Sequence, residues 1–279
     1  MLRQRVITAV VLLALLLPAL FADRPQPFAW FTLALVTAAA WEWARLNGAR
    51  APVPALASGG VMAAACAAAL VVWPSAELLR PLWLTAMAAW VVGGAWALKR
   101  GPAGWPAIAA SVRWGLGLVL LWLAWLAMVQ ARVVGVHFLL SVLCIVWMAD
   151  IAAYFGGRRF GRRKLAPTIS PGKSWEGVAS GVLGVALMAV LWMSFEGQVH
   201  TDSPSVFRLL LQRHGALGLL LSLALLVALS VVGDLFESLV KRAAGVKDSS
   251  QLLPGHGGVL DRVDALLPVL PVALALISI

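Results

Sequence analysis

Residues 215–242 read GALGLLLSLALLVALSVVGDLFESLVKR, a long apolar stretch that ends in charged side chains. No charged residue lies between His214 and Asp234. An apolar stretch of about 17–25 residues is long enough to cross the hydrocarbon core of a bilayer as a helix. The stretch therefore predicts a membrane-spanning helix whose polar end lies at one membrane surface.

Similar apolar stretches recur along the whole chain. The 279 residues are 62% hydrophobic and 12% charged, whereas about 25% of a typical soluble domain is charged. We therefore predict an all-α, polytopic integral membrane protein with about nine transmembrane helices. The predicted spans cover residues 6–22, 27–46, 51–73, 81–98, 114–130, 133–155, 175–195, 215–238 and 263–279.

The distribution of Lys and Arg predicts the orientation of these spans. With nine spans and a cytoplasmic N-terminus, all but five of the 22 Lys and Arg residues lie on the cytoplasmic side. The five exceptions are Arg24, Arg80, Arg132, Arg208 and Arg213. Because cytoplasmic loops are enriched in Lys and Arg, we expect the N-terminus inside and the C-terminus outside, on the periplasmic side.

The formal net charge of +10 fits the same topology. On a soluble protein this charge would suggest a nucleic-acid partner, but cytoplasmic cations of a membrane protein face anionic lipids. We therefore expect membrane lipids as partners, and no nucleic acid.

The first polar constellation lies at the end of the stretch quoted above. If residues 233–242 are helical, Asp234, Ser238 and Lys241 share one face, and Glu237 lies beside them. A carboxylate close to the bilayer should face protein or a water-filled cavity rather than lipid. Two interpretations remain open: a functional acid, or an ion pair between helices that only fixes their packing.

The second constellation is the loop LLPGHGGVLDRVD, residues 252–264. Its proline and glycines exclude a regular helix and allow the backbone to approach a ligand closely. Asp261 and Asp264 are three residues apart, so both can point the same way at the start of the ninth helix. Carboxylates from two helix ends, with cations nearby, are what a magnesium–polyphosphate site requires. For His256 we favour a structural or phosphate-contacting role over that of a general base.

The third constellation joins the sixth predicted span to the loop over residues 156–174. Asp150 and Tyr154 are four residues apart near the predicted cytoplasmic end, and five cations lie within Arg158–Lys164. Anchoring on anionic lipid explains some of these cations. The sequence Gly172-Lys173-Ser174 resembles the end of a phosphate-binding P-loop, but Pro167 stands where that motif needs glycine, so we exclude it.

These residues resemble the phosphatidate cytidylyltransferase (CDP-diacylglycerol synthase) family. The family signature is matched by Ser238, Val240, Lys241, Arg242, Lys247, Asp248, Pro254, His256, Gly257, Gly258, Asp261, Arg262 and Asp264. The segments Asp150–Phe155 and Ile169–Gly177 are also similar to the family, with Ser174 where threonine is common. The resemblance covers roughly residues 150–177 and 233–264.

The resemblance implies an enzyme of phospholipid biosynthesis that makes CDP-diacylglycerol and pyrophosphate from CTP and phosphatidate. It implies Mg²⁺ bound by Asp234 and Asp261, with a monovalent cation such as K⁺ as a possible neighbour. Members of the family are multi-pass inner-membrane proteins that look dimeric. We therefore expect a homodimer whose active site faces the cytoplasm.

The candidate residues divide into two groups under this interpretation. The catalytic group comprises Asp234, Asp261, Lys241 and Arg262. The substrate-binding group comprises Ser170, Lys173, Ser174, Ser238, Arg242, Lys247, Asp248, His256, Gly257, Gly258, Asp264, Asp150 and Tyr154. Two alternatives stay open: a related CTP-dependent enzyme that acts on another lipid phosphate, and a cation- or proton-coupled transporter.

The polar constellations all lie in the second half of the chain. We therefore divide it into residues 1–132, transmembrane helices that form a lipid-facing or dimer scaffold, and residues 133–279, the catalytic region. The loops over residues 156–174 and 241–262 are predicted to be cytoplasmic.

Overall fold

The computed structural model describes residues 2–49 and 51–279, and almost all of its regular structure is helical. The helices are α1 (Leu2–Leu20), α2 (Gln26–Leu46), α3 (Pro52–Val71), α4 (Ala76–Ala89), α5 (Ala95–Gly104), α6 (Ala110–Val134), α7 (Val136–Phe160), α8 (Trp175–Glu196), α9 (Val206–Ala243), α10 (Leu260–Val263) and α11 (Leu266–Ser278). A π-helical turn, Trp90–Gly94, joins α4 to α5. Two short strands, β1 (Lys164–Ala166) and β2 (Ser170–Ser174), form an antiparallel hairpin.

Six helical stretches in the described part of the chain are long and apolar enough to cross a membrane. They are Pro52–Val71, Glu77–Gly104, Ala110–Val134, Val136–Phe160, Trp175–Glu196 and Val206–Ala243. All nine predicted segments coincide with helices, but α2 and α11 are not among the six, and α1 contributes only a shorter apolar segment. The multi-pass helical architecture is confirmed, and the count of nine spans remains a prediction.

Two details differ from the sequence prediction. The fold is not purely α, because the β1–β2 hairpin occupies the predicted loop over residues 156–174. In addition, α9 includes a first helical part over residues 206–214 that was not predicted. It is separated from the predicted span by Gly215, whose φ of +68° and ψ of −176° are not helical. Arg208 and Arg213 interrupt the apolar pattern, so charge-free stretches indicate only the part of α9 that follows Gly215.

Close packing of α7 on α8 positions the hairpin. A Cβ atom added at Gly181 would lie 3.2 Å from the carbonyl oxygen of Ala149, and one at Gly184 would lie 2.5 Å from the Cβ of Ala152. Small residues spaced along a membrane helix allow two backbones to approach in this way. The close pair brings the end of α7 and the start of α8, which flank the hairpin, to the same end of the bundle.

An aromatic cluster fixes the end of α9 against the N-terminal half of the chain. The ring of Phe236 lies 6.0 Å from that of Trp43, 5.6 Å from that of Trp90 and 5.4 Å from that of Trp105. Such aromatic contacts add to the free energy gained from burial of the rings. They hold the polar turn of α9, which carries Asp234 and Glu237, against α2.

The start of α1 and the end of α11 lie at opposite ends of the bundle. The hydroxyl of Thr8, early in α1, donates to the carbonyl oxygen of Pro254 at 3.1 Å. The ring of His214 lies 2.8 Å from the carbonyl oxygen of Leu276, at the end of α11. The start of α1 therefore lies beside the loop over residues 244–259, and the end of α11 lies far from it.

Candidate active site

An open cavity of about 410 Å³ lies between the β2 strand and helices α7, α8 and α9. The sequence prediction named six of the residues that line it: Asp150, Tyr154, Ser170, Lys173, Ser174 and Asp234. Its wall also contains apolar side chains, Ala153, Val178 and Val231. The cavity therefore combines charged groups with an apolar wall at the polar ends of membrane-spanning helices.

An ion pair crosses this cavity. The Nζ of Lys173, on β2, lies 2.6 Å from Oδ2 of Asp234, on α9, and the two side chains are 24% and 32% exposed. The hydroxyl of Ser238 donates to the other carboxylate oxygen, Oδ1, at 3.2 Å. A pair with this much solvent contact adds little to stability. Its main effect is to hold two opposite charges where a ligand can reach them.

A second group of charges is buried behind the first. The ammonium group of Lys241 contacts Glu237 on the same helix and lies 2.6 Å from Oδ1 of Asp261 in α10. The side chains of Lys241, Glu237 and Asp261 are 12%, 1% and 7% exposed. Removal of one partner from a buried ion pair leaves an uncompensated charge, which is strongly destabilising. These three residues therefore join α9 to α10.

Asp261 is also the hydrogen-bond acceptor that organises the loop over residues 252–259, which we call the glycine loop. Its carboxylate accepts from the backbone N–H groups of Gly258 at 2.8 Å and Ser249 at 3.0 Å, and from the Ser249 hydroxyl at 2.9 Å. Burial alone would raise the pKa of Asp261. The hydrogen bonds from Lys241 and Gly258 outweigh burial and lower that pKa to about 2. Asp261 is therefore ionised at neutral pH.

The two acids predicted to bind metal have different surroundings. Asp234 lines the cavity, and each of its oxygens has one protein donor, Lys173 or Ser238. Asp261 accepts three hydrogen bonds at Oδ2 and is nearly buried. Mg²⁺ needs only one or two protein carboxylates, with water and phosphate oxygens as the other ligands. Asp234 fits such a site directly, whereas Oδ1 of Asp261 already accepts from Lys241 at 2.6 Å and from the N–H of Ser249 at 3.3 Å. Within residues 2–49 and 51–279, no three His, Cys, Asp or Glu side chains form a metal-binding group.

Three of the predicted cavity residues have local structural partners as well. The hydroxyl of Ser174 accepts from the N–H of Gly177 at 3.2 Å and so caps the N-terminus of α8. The phenol oxygen of Tyr154 accepts from Arg158 at 3.2 Å. Ser170 lies in the register position opposite Ala166 in the hairpin. Lys173 therefore lies on β2, directly before the capped start of α8, and faces the cavity.

The remaining predicted residues lie outside this cavity. Lys247 and Asp248 line a second cavity of about 630 Å³, together with Arg45 and the segment 249–251. Arg242 donates to the carbonyl oxygen of Val246 at 3.1 Å. The structure therefore does not bring all the candidate cations to one place.

The glycine loop itself is held by short-range contacts. Arg262 donates to the carbonyl oxygen of His256 through both Nε and Nη2, at 3.0 and 2.5 Å. Gly257 has a φ of +82°, which other residues rarely adopt. The Asp264 carboxylate accepts from the N–H of Ala265 at 2.7 Å. The Nδ1 atom of His256 is buried with no hydrogen-bond partner among the described residues.

Two acids shape the site although the sequence prediction gave neither of them a role. Glu176 accepts from the backbone N–H groups of Arg162 and Arg163, at 3.1 and 3.2 Å for Oε2, and so fixes the start of the hairpin. Glu42, in α2, is fully buried and hydrogen-bonded to the loop over residues 249–260. The sequence did contain one signal for Glu42, because it is a lone acid between two tryptophans of an apolar helix.

Comparison with known proteins identifies the family of this chain. A family model described as "Cytidylyltransferase family" matches residues 3–279. The chain is 39% identical to a phosphatidate cytidylyltransferase of Pseudomonas aeruginosa, over 99% of this chain and 97% of that protein. It is 47% identical to the Haemophilus influenzae phosphatidate cytidylyltransferase over 49% of this chain and 44% of that protein. For the Thermotoga maritima phosphatidate cytidylyltransferase, the identity is 42% over 48% of this chain and 46% of that protein. The chain belongs to the cytidylyltransferase family.

Proposed function

We propose that this protein makes CDP-diacylglycerol and pyrophosphate from CTP and phosphatidate, as the names of its relatives suggest. The observation that carries the proposal is the cavity in which Lys173 and Asp234 face each other beside an apolar wall. Phosphatidate has a charged head group and apolar tails, so a cavity at the polar ends of membrane helices suits it. CTP reaches the same place from the aqueous side.

The proposed reaction is an in-line displacement at phosphorus. A phosphate oxygen of phosphatidate forms a bond to the α-phosphorus of CTP, and the bond between that phosphorus and the oxygen bridging to the β-phosphate breaks. Pyrophosphate leaves with the electron pair. Since the second pKa of a phosphate monoester is about 6, the nucleophile is already ionised at neutral pH. No protein base is required.

The main obstacle to this reaction is repulsion between two polyanionic substrates. Lys173 would offset negative charge inside the cavity, and Arg158 lies on its rim. Lys241, on α9, and Arg262, on α10, would act from beside the glycine loop, Lys241 being oriented by Asp261. Fixed cations that face developing negative charge are a main source of catalysis in phosphoryl transfer.

We further propose Mg²⁺ as the cofactor, held by Asp234 with Asp261 as the second acid. When bound, Mg²⁺ would neutralise charge on the leaving pyrophosphate. Asp234 supports this assignment best because its carboxylate faces the open cavity, and Asp261 keeps Lys241 and the loop in place. A monovalent cation such as K⁺ is proposed as a neighbour.

The proposed location is the inner membrane, with this cavity on the cytoplasmic side. The supporting observation is that the Lys- and Arg-rich ends of α7 and α9 lie at the cavity end of the bundle. In this topology the N-terminus is cytoplasmic and the C-terminus is periplasmic. We also propose a homodimer, with residues 1–132 as its scaffold.

Incubation of the purified protein with CTP, Mg²⁺ and phosphatidate in detergent micelles tests the function. Pyrophosphate and a cytidine-containing lipid should appear in equal amounts, and diacylglycerol, which lacks the phosphate, should give neither. Release only with a different lipid phosphate would replace phosphatidate as the substrate. No release with any lipid phosphate would overturn the proposal.

A further inference from the structure

Glu42 is a buried acid in α2, outside the half of the chain that carries the signature residues. Its Oε1 accepts from the N–H of Val259 at 2.9 Å and from the hydroxyl of Ser250 at 2.5 Å. Its Oε2 accepts from the N–H of Leu260 at 2.7 Å and from the hydroxyl of Ser249 at 3.2 Å. A carboxylate has about four acceptor positions, and all of those on Glu42 are directed at one loop.

The donors to Glu42 are also linked to the donors to Asp261. Ser249 contacts both acids, because its hydroxyl lies 2.9 Å from Oδ2 of Asp261 and 3.2 Å from Oε2 of Glu42. The N–H of Gly258 donates to Asp261, and the next two N–H groups along the chain donate to Glu42. The position of the Asp261 carboxylate, and of the Lys241 ammonium that it contacts, therefore depends on Glu42.

The space around Gly258 shows how closely the loop fits against Glu42. A Cβ atom at Gly258 would lie 2.5 Å from Oε1 of Glu42 and 2.0 Å from the Ser249 hydroxyl oxygen. A side chain at residue 258 would therefore displace both the Ser249 hydroxyl and the Glu42 carboxylate.

We propose that Glu42 is a positioning residue for cytidylyl transfer, which holds the glycine loop so that Asp261 and Lys241 keep their working orientation. The inference rests on the proposed function, because Asp261 and Lys241 matter for catalysis only if the reaction occurs at this site. It also assigns a role in the active site to a residue in the predicted N-terminal scaffold.

The primary test is Glu42→Gln in the full-length protein, with turnover measured per folded molecule. Glutamine keeps the size of the side chain but turns an N–H donor group towards donors of the loop. We expect kcat to fall about 10–100-fold, as for other residues that orient catalytic ligands. The KM for phosphatidate should change far less, because Lys173 and the cavity wall are not in contact with Glu42. The matched control is Glu77→Gln, an exposed acid at the start of α4, which should behave as wild type.

A second readout does not depend on activity. Lys247 is exposed and precedes the residues that Glu42 binds, so trypsin cleavage after Lys247 reports how firmly the loop is held. Glu42→Gln should be cleaved faster than wild type, and Glu77→Gln should not. This result stays informative even if wild-type protein releases no pyrophosphate, an outcome that would refute the proposed function instead.

Ser250→Ala provides a milder variant that removes only one of the four donors to Glu42. It should fold, lower kcat by several-fold and increase cleavage after Lys247 slightly. Normal kcat and normal cleavage in Glu42→Gln would overturn the proposal. A loss of activity that only follows the loss of folded protein, with normal kcat per folded molecule, would overturn it as well.

Discussion

Acidic side chains lie at both ends of the bundle formed by α7, α8 and α9, but they are satisfied in different ways. At the end far from the cavity, Asp202 accepts from the N–H groups of Val136 at 2.5 Å and His137 at 3.0 Å. Glu196 accepts from the N–H and the hydroxyl of Ser205 at 2.8 and 2.6 Å. Asp202 thus caps the start of α7, and Glu196 holds Ser205, whose hydroxyl caps α9 by accepting from the N–H of Arg208.

At the cavity end, Asp234 has no backbone donor among its recorded contacts and is paired with a lysine across an open space. The difference lies in the partner: backbone N–H groups hold the remote acids in place, whereas Asp234 faces a lysine that a ligand can reach. A partly exposed ammonium group can instead exchange its carboxylate for a substrate phosphate or share it with a metal ion.

The strongest test of this distinction changes one acid at each end. Asp234→Asn should lower turnover at least about 100-fold, because it removes the carboxylate charge that is proposed to hold Mg²⁺. Asp202→Asn should keep wild-type kcat per folded molecule and lower only the thermal midpoint, since its role is to cap α7. Pyrophosphate release and thermal unfolding of both variants provide the measurements. Normal turnover in Asp234→Asn would remove this acid from the proposed mechanism.

The cation of the cavity pair should have a smaller effect than the acid. Lys173→Met removes the ammonium group that faces Asp234, and we expect kcat/KM to fall about 10–100-fold, the range for loss of a charge-assisted contact. Lys164→Met, on the neighbouring strand, is the matched control because its side chain is exposed and outside the cavity. Steady-state rates at varied CTP and phosphatidate check this, and equal losses in both variants would refute a specific role for Lys173.

The sequence was sufficient for the helical, multi-pass fold and for much of the cavity. Charge-free stretches located the helices, and the spacing of Asp234 and Ser238 placed both on one face, where they are hydrogen-bonded. It did not predict that Lys173 comes from a strand. The short β2 strand is rich in serine, glycine and proline and has no apolar alternation, so no strand signal exists there.

Glu42 could not be assigned from its sequence position either. Its four donors lie more than 200 residues away along the chain, and no local periodicity reports such a contact. Phe236 shows the same limit, because its position depends on three tryptophans that are distant along the chain. Local patterns predicted which residues are polar, and tertiary packing decided which of them meet.

Substitutions at the remote end, the end of the bundle far from the cavity, should affect stability rather than catalysis. Glu196→Gln replaces one carboxylate oxygen with an N–H donor group next to Ser205 and Arg208, which themselves donate to Glu196. Loss of such a hydrogen bond to a charged group costs about 1.5–3 kcal/mol. We expect a lower thermal midpoint, with kcat per folded molecule unchanged. A selective loss of kcat would show that the remote end is coupled to the cavity.

Among the tested residues at the cavity end, His256 should have the smallest effect on turnover. The two ends contain contrasting histidines: His137 has contacts at both ring nitrogens, with Ser203 and Trp192, whereas the buried Nδ1 of His256 has no partner in the described structure. An unpartnered histidine in a glycine loop suggests a general base, whose removal typically costs about 100–10,000-fold. Because the lipid phosphate ionises with a pKa of about 6 without help, we expect the turnover of His256→Gln to fall less than about tenfold, well below the general-base range.

The pH dependence of the rate provides the check. The acid limb of the pH–rate profile should persist in His256→Gln, because this limb belongs to the substrate. If that limb disappears in His256→Gln, the reaction uses a protein base. His256 would then be a catalytic histidine at the cavity end, in contrast to the hydrogen-bonded His137 at the remote end.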